Sequence, residues 1–127
     1  MNKQEVKTNN APAAIGAYSQ GIQAGNLVFA SGQMPVDPAT GEVVSGGIAE
    51  QARQAIENMK AVMQAANASL DDVIKTTVFI KNMADFGVIN DIYASYFKAP
   101  FPARSCVEVA RLPKDVLIEI EAIARVE

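Results

Sequence analysis

The sequence predicts one α+β domain over residues 1–127, with a mixed sheet and two helices packed on one of its faces. Three observations predict this class. Strand-like segments occur in pairs near each end of the chain, only two segments have helical periodicity, and several strands look apolar on both faces. The predicted order is β-β-α-β-α-β-β, with a short extra strand around Val6. Because no element remains to cover the second sheet face, we expect another copy of the chain to cover it.

Two strands and a long helix are predicted in the first half of the chain. The segment YSQGIQAGNLVFASG contains two strand-like runs joined at Gly25-Asn26, residues that tolerate the positive φ of a tight turn. From about Gly47 to Ala66, apolar residues recur at three- and four-residue steps and give one apolar helical face. Ser69, followed by Asp72, has the pattern of a capping turn after this helix.

The second half begins with the segment VIKTTVFIK, whose β-branched residues predict a strand. We expect its even-numbered residues, from Ile74 to Ile80, to share one face. A second helix is predicted from about Ala84 to Phe97. The closing segment PARSCVEVARLPKDVLIEIEAIARVE predicts a hairpin of two strands around a turn, at about Ala103–Ala110 and Val116–Arg125.

The composition excludes several classes of function. A net charge of −3 argues against binding to a nucleic-acid backbone, so we expect no nucleic-acid partner. The absence of histidine excludes Ser-His-Asp and Cys-His mechanisms, and with a single cysteine it excludes the usual zinc sites. We expect no metal and, without a glycine-rich phosphate loop, no nucleotide or other cofactor.

The location expected from the sequence is the cytoplasm. The polar start MNKQEVKTNN is unlike a signal peptide, and no apolar run is long enough to span a membrane. Cys106 cannot form an internal disulfide on its own, which fits a reducing compartment.

Charged residues in the closing strands predict a site for a small carboxylate. A planar guanidinium such as that of Arg104 can hold a carboxylate through two parallel hydrogen bonds, although the residue alone favours a structural ion pair. Glu119 and Glu121 lie on one face of the last strand, and the sequence does not choose between them. The register between the two strands, and therefore whether the charged faces coincide, also stays open.

Four segments together resemble the RidA/YjgF family of enamine/imine deaminases. In chain order they are APAAIGAYSQG, FASGQMPVDPATGEV, VIKTTVFIKNMADFGVINDIY and PARSCVEVARLPKDVLIEIEAIA, and they cover essentially the whole chain. The resemblance implies a chorismate-mutase-like fold whose three subunits form a central barrel, with sites between subunits. It implies hydrolysis of reactive 2-enamine and 2-imine acids, of the 2-aminoacrylate and 2-aminocrotonate type, to 2-keto acids and ammonia.

The resemblance also implies catalytic roles for residues of the closing strands. Arg104 corresponds to the arginine that holds the substrate carboxylate, and the backbone amide at Cys106 assists it. Glu119 is favoured over Glu121 as the group that positions water and transfers protons. A nucleophilic Cys106 is disfavoured relative to a small buried side chain, because there is no histidine to activate it.

Four further residues correspond to family positions in or near the pocket. The resemblance makes Tyr18 a wall near the reacting group, places Ser31 and Gly32 in the pocket lining, and puts Asn90 near the cleft. Ala17 stands where proline is usual in the family, which frees φ just before Tyr18.

A second class of function stays open at the level of sequence. The same cleft would serve a regulatory module that binds 2-keto acids or related metabolites without turning them over. Arg104 fits both hypotheses equally, whereas Glu119 is needed only for turnover.

Overall fold

The computed structural model describes residues 2–127, which form a six-stranded mixed sheet and two α-helices. The predicted order is confirmed, and so is the extra strand around Val6, which is β1. The elements are β1 (Lys3–Val6), β2 (Gly21–Ala24), β3 (Leu27–Gln33), α1 (Ile48–Ala65), β4 (Val73–Ile80), α2 (Phe86–Tyr96), β5 (Ala103–Glu108) and β6 (Ile118–Arg125).

The strands are arranged in the order β1-β2-β3-β6-β4-β5, and only the β4–β5 pair is parallel. The predicted β5–β6 hairpin is therefore wrong, because β4 lies between these strands. The burial of each strand gives the physical reason. In β6 every second residue is buried, as in a central strand with two neighbours, whereas no residue of β5 is fully buried, as suits an edge.

Both helices pack on one face of the sheet. The predicted apolar face of α1 is confirmed, since Ala52, Ala55, Met59 and Val62 have no exposed surface. These residues form one core with the inward-facing side chains of β3, β4 and β6. The predicted capping turn is also confirmed, with the Ser69 backbone amide donating to a carboxylate oxygen of Asp72.

The opposite sheet face is left open by the elements of this chain. Phe29, Ile74 and Val107 are 41%, 49% and 42% exposed, respectively. The prediction that Ile74 shares a face with Thr76, Val78 and Ile80 is wrong, since those three are buried and Ile74 is exposed. The register between β4 and β6 shifts between Val73 and Lys75, so Ile74 occupies a bulge while Val73 remains inside.

Neither helix within residues 2–127 is both long and apolar enough to cross a membrane.

Candidate active site

Four of the residues singled out in the sequence line one cleft of about 780 Å³. Tyr18 comes from the segment before β2, Ser31 and Gly32 from the end of β3, and Glu119 from β6. Glu121 also reaches this cleft. The remaining walls come from the segments on either side, mainly Pro12, Ala13, Ile15, Met34, Val36, Pro113 and Lys114.

A β-bulge at Ser31-Gly32 shapes the floor of the cleft. Ala30 pairs with Ala122 and Gln33 pairs with Ile120, so two residues of β3 lie opposite one residue of β6. The bulge is fixed by Ser31, whose backbone amide donates to the Gln20 carbonyl at 2.9 Å. The Ser31 hydroxyl donates to the Ser19 carbonyl at 2.6 Å.

Gly32 allows the Glu119 carboxyl to lie against the backbone of β3. A Cβ atom built on Gly32 would lie 2.5 Å from Oε1 and 2.7 Å from Cδ of Glu119, distances that real side chains essentially never show. Glycine is required here by the close approach of another side chain. The bulge and the missing side chain together determine where the carboxyl lies.

Burial distinguishes the two glutamates that strand alternation left equivalent, and it agrees with the choice of Glu119 implied by the resemblance. Glu119 is partly buried, whereas Glu121 is exposed. Burial raises the pKa of the Glu119 carboxyl, and the negative charge of Glu121 raises it further. A raised pKa brings a carboxyl closer to the range in which it both accepts and donates protons near neutral pH.

Gln20 is a residue of the site that sequence reasoning missed. Its side chain is 3% exposed, and its amide nitrogen donates to the Pro12 carbonyl at 2.7 Å. It also donates to the carbonyls of Thr8 and Ala11, and its oxygen accepts from the Thr8 amide. Gln20 thereby fixes the segment that supplies one cleft wall. The sequence offers no clear indication of this role beyond a polar residue directly before a strand.

Tyr18 stands at the mouth of the cleft with half of its surface exposed. Its backbone amide donates to the Gly16 carbonyl at 3.0 Å, which closes a tight turn. Gly16 has a φ of +109°, a conformation that side chains rarely adopt. Ala17 is the central residue of this turn, so the turn forms although alanine stands where the resemblance has proline.

Arg104 and Asn90 lie together in a second cluster, between β5 and α2. Nη1 of Arg104 donates to Oδ1 of Asn90 at 2.9 Å. The ion pairs among residues 2–127 are Lys98–Asp71 and Arg111–Asp115, and neither involves Arg104. The structural ion pair that the residue type alone would favour for Arg104 is therefore not formed among residues 2–127.

Cys106 lies two residues beyond Arg104 on the same face of β5 and packs against the core. Burial raises the pKa of its thiol, and the opposing effect of the positive charge of Arg104 is smaller. The thiol is therefore held protonated, which argues against a nucleophilic role.

The two clusters lie on opposite faces of the sheet. Arg104 is in register with Thr76, which is fully buried under the helices. Glu119 is in register with Phe79, whose side chain points to the open face. The register left open by the sequence therefore separates Arg104 from Glu119 within one chain. The strand that carries Arg104, β5, is also three inter-strand steps, roughly 14 Å, from β3, which carries Ser31 and Gly32.

Within residues 2–127, no three carboxylate or thiol side chains are grouped as metal ligands.

Comparison with protein families gives a match over nearly the whole chain. The model of the family described as Endoribonuclease L-PSP matches residues 8–126. The chain belongs to this family. The resemblance to RidA/YjgF proteins is thereby confirmed, since the crystal structure of the YjgF gene product from Escherichia coli has 54% identity and a TM-score of 0.93. That match covers 98% of this chain and 99% of the other.

Some of the curated relatives carry an enzymatic name. The 2-iminobutanoate/2-iminopropanoate deaminase of Escherichia coli (strain K12) is 57% identical over an alignment of 122 residues, and the match covers 94% of each chain. A RutC family protein of Pyrococcus horikoshii is 59% identical, over 96% of this chain and 97% of its own. A crystal structure of Escherichia coli TdcF with bound serine has 50% identity and a TM-score of 0.93, covering 98% and 99% of the chains.

Proposed function

We propose that this protein is an imine deaminase that hydrolyses 2-enamine and 2-imine acids, such as 2-iminobutanoate and 2-iminopropanoate, to 2-keto acids and ammonia. The identity of 57% with a deaminase of that name, over 94% of both chains, supports the reaction. The structural observation that supports it most directly is the partly buried Glu119 carboxyl, held against Gly32 in the wall of the cleft.

Arg104 is the proposed carboxylate-binding residue. Its guanidinium donates one hydrogen bond to the neutral Asn90 and has no carboxylate partner among residues 2–127, so its charge is available to a ligand. Two parallel N–H···O bonds to a substrate carboxylate would fix its orientation. The backbone amide at Cys106 is proposed to assist. Asn90, which the resemblance places near the cleft, would act by holding Arg104.

Glu119 is the proposed acid–base group. As its carboxylate accepts a proton from water, the water oxygen bonds to the imine carbon and the C=N double bond becomes single; Glu119 gives this proton to the nitrogen. Glu119 then takes the proton of the new hydroxyl and passes it to the amine, so that the C–N bond breaks as the keto C=O bond forms, and ammonia leaves. Tyr18, Ser31 and Gly32 are proposed to line the space around the reacting carbon. Positioning and one carboxylate suffice because uncatalysed hydrolysis of these compounds is already fast.

The proposed assembly is a homotrimer in the cytoplasm, with each site formed between two subunits. The separation of Arg104 and Glu119 on opposite faces of the sheet supports a shared site, since one chain does not bring them together. The open sheet face, with Phe29 and Val107 exposed, supports burial against another copy.

A metabolite-binding module is the second candidate function. The relative crystallised with bound serine favours a cleft that takes a small amino or keto acid, with or without turnover. The family description would suggest an RNA substrate. The net charge of −3 and the absence of histidine both argue against it.

A coupled assay tests the proposal. A pyridoxal-phosphate-dependent dehydratase generates the imine acid in solution, and the appearance of keto acid is followed with and without this protein. We expect acceleration by the wild type and its loss in Arg104→Ala and Glu119→Gln. The matched control is Arg53→Ala, which removes an exposed arginine of α1 away from both clusters and should retain full activity.

Two outcomes of this assay would contradict the proposal. If Arg104→Ala kept full activity, the proposed carboxylate site would be wrong. If a folded wild-type protein did not accelerate hydrolysis of imines from several amino acids, the binding module would replace the deaminase.

A further inference from the structure

Two aromatic rings of α2 lie next to the guanidinium of Arg104. Its Cζ atom is 5.2 Å from the ring centroid of Phe86 and 4.8 Å from that of Tyr93. Both distances are within the range of about 6 Å over which a ring attracts a cation. We propose that Phe86 and Tyr93, named here the aromatic pair, are positioning residues that hold Arg104 for a substrate carboxylate. This inference rests on the proposed function in assigning that carboxylate to Arg104.

The aromatic pair fixes the guanidinium without neutralising it. A carboxylate neighbour would satisfy the N–H donors of Arg104 and compete with a ligand for them. A ring attracts the cation through its π-face and occupies none of the donors in the guanidinium plane. Asn90 takes one donor and is neutral. The positive charge and the other donors are therefore left for an anion.

The aromatic pair is itself held in place by the fold. Tyr93 is 4% exposed, and its hydroxyl lies 2.7 Å from Oγ1 of Thr76, which is fully buried. Its ring also packs on Phe97 with centroids 4.4 Å apart. Thr76 is the residue of β4 in register with Arg104, so this hydrogen bond ties α2 to the strand directly beside the guanidinium.

The spacing along α2 explains how three residues reach one guanidinium. Phe86, Asn90 and Tyr93 follow one another at steps of four and three residues, which places them on one face of a helix. Each contacts Arg104. The spacing of these three residues is visible in the sequence, but only the order of the strands shows that they face Arg104.

Removal of one ring should weaken the binding of a carboxylate. A cation–π contact of ordinary strength corresponds to about a three- to tenfold change in affinity. Since the carboxylate is held equally in the ground state and in the transition state, the loss should raise KM and leave kcat nearly unchanged.

The experiment uses Phe86→Leu, because Phe86 is only partly buried and its replacement is milder than that of Tyr93. Phe86→Tyr keeps the ring and should retain wild-type properties. Tyr96→Leu is the matched control, since Tyr96 lies on the same helix but is bonded to Glu57. Pyruvate serves as the carboxylate probe, with its dissociation constant measured by calorimetry, and KM and kcat are measured in the coupled assay.

We expect Phe86→Leu to bind pyruvate about three- to tenfold more weakly and to raise KM by a similar factor. Wild-type pyruvate affinity in Phe86→Leu would overturn the inference, as would an equal loss in Tyr96→Leu. A fall in kcat with unchanged KM would also overturn it. If the wild type bound pyruvate but hydrolysed no imine, the proposed function would fail while the pyruvate arm still tested the aromatic pair.

An NMR measurement tests the ring contacts in the wild type itself. The Nε–H proton of Arg104, identified by its disappearance in Arg104→Lys, should be shifted upfield by the ring currents of the aromatic pair. A signal at the position of free arginine would show that the guanidinium is not held by the rings and would overturn the inference.

Discussion

Replacement of Gly32 by alanine is the sharpest test of where the Glu119 carboxyl lies. The new methyl group would stand 2.5 Å from Oε1 and 3.0 Å from Cγ of Glu119. The backbone of Gly32 is not in the left-handed region, so alanine causes no strain of its own there. The atoms that must move belong to the outer part of a flexible side chain, so the carboxyl should shift while the sheet stays intact.

The size of the shift follows from the distances. Oε1 must move from 2.5 Å to at least 3.4 Å from the new methyl group, a displacement of about 0.9 Å. A misplacement of about 1 Å at a reacting group lowers a rate by about 10²-fold. We expect Gly32→Ala to lower kcat/KM about 10- to 100-fold and to change the free energy of unfolding by no more than about 1 kcal/mol.

The assay compares imine hydrolysis and urea denaturation for the wild type, Gly32→Ala and the control Gly87→Ala, whose new Cβ meets nothing within 4 Å. A double mutant with Glu119→Gln makes the test specific. If Gly32 acts only by giving room to the Glu119 carboxyl, alanine should cost nothing further once that carboxyl is gone. Wild-type activity in Gly32→Ala, or full additivity in the double mutant, would refute the reasoning.

Three further predictions concern stability. Burial raises the pKa of Glu119 in the folded protein, so the protonated carboxyl stabilises the fold. This contribution to the free energy of unfolding is complete below the ordinary pKa of 4.5 and is lost as the pH rises through the raised pKa. Glutamine does not titrate, so the free energy of unfolding of Glu119→Gln should rise relative to that of the wild type between pH 4 and pH 7, as measured by urea denaturation. A difference between the two proteins that stays constant with pH would contradict this. Asn58→Ala should lower the free energy of unfolding by about 2–4 kcal/mol, because the carbonyls of Met34 and Val36 lose their donor. A loss below about 1 kcal/mol in urea denaturation would mean that water replaces the lost side chain. Gly87→Ala should raise the melting temperature, because alanine has the higher helix propensity and should add about 0.5–1 kcal/mol to the free energy of unfolding. A lower melting temperature would contradict this and would mean that this surface of α2 is packed against another molecule.

Local elements of the fold were predictable because a few neighbouring residues determine them. The turn at Gly25-Asn26 forms between β2 and β3, where Gly25 adopts a φ of +61°. The apolar stripe predicted from Gly47 to Ala66 is the buried face of α1. The predicted second helix begins with a 3-10 turn at Met83–Asp85 and is α-helical only from Phe86, since end geometry depends on contacts outside the helix.

Strand pairing was not predictable in the same way. Adjacent strands in a sequence often form hairpins, and the alternation in β5 and β6 is compatible with one. The structure instead places β4 between them, because the helical crossover through α2 returns β5 parallel to β4 at the sheet edge. Alternation specifies which residues share a face, but it contains no information about which strand lies alongside.

By itself the sequence determined the class of fold, the family and the types of residue available for chemistry, because these depend on local pattern and on long matching segments. The family resemblance favoured Glu119 over Glu121, but only the tertiary structure gave the physical difference between them, since burial beside the bulge at Gly32 separates two residues that alternation makes equivalent. Only the sheet order showed that Arg104 faces the helices while Glu119 faces the open side. The physical reason is that pKa, burial and the direction of a side chain are set by residues distant in sequence, which the chain brings together only when the strands have paired.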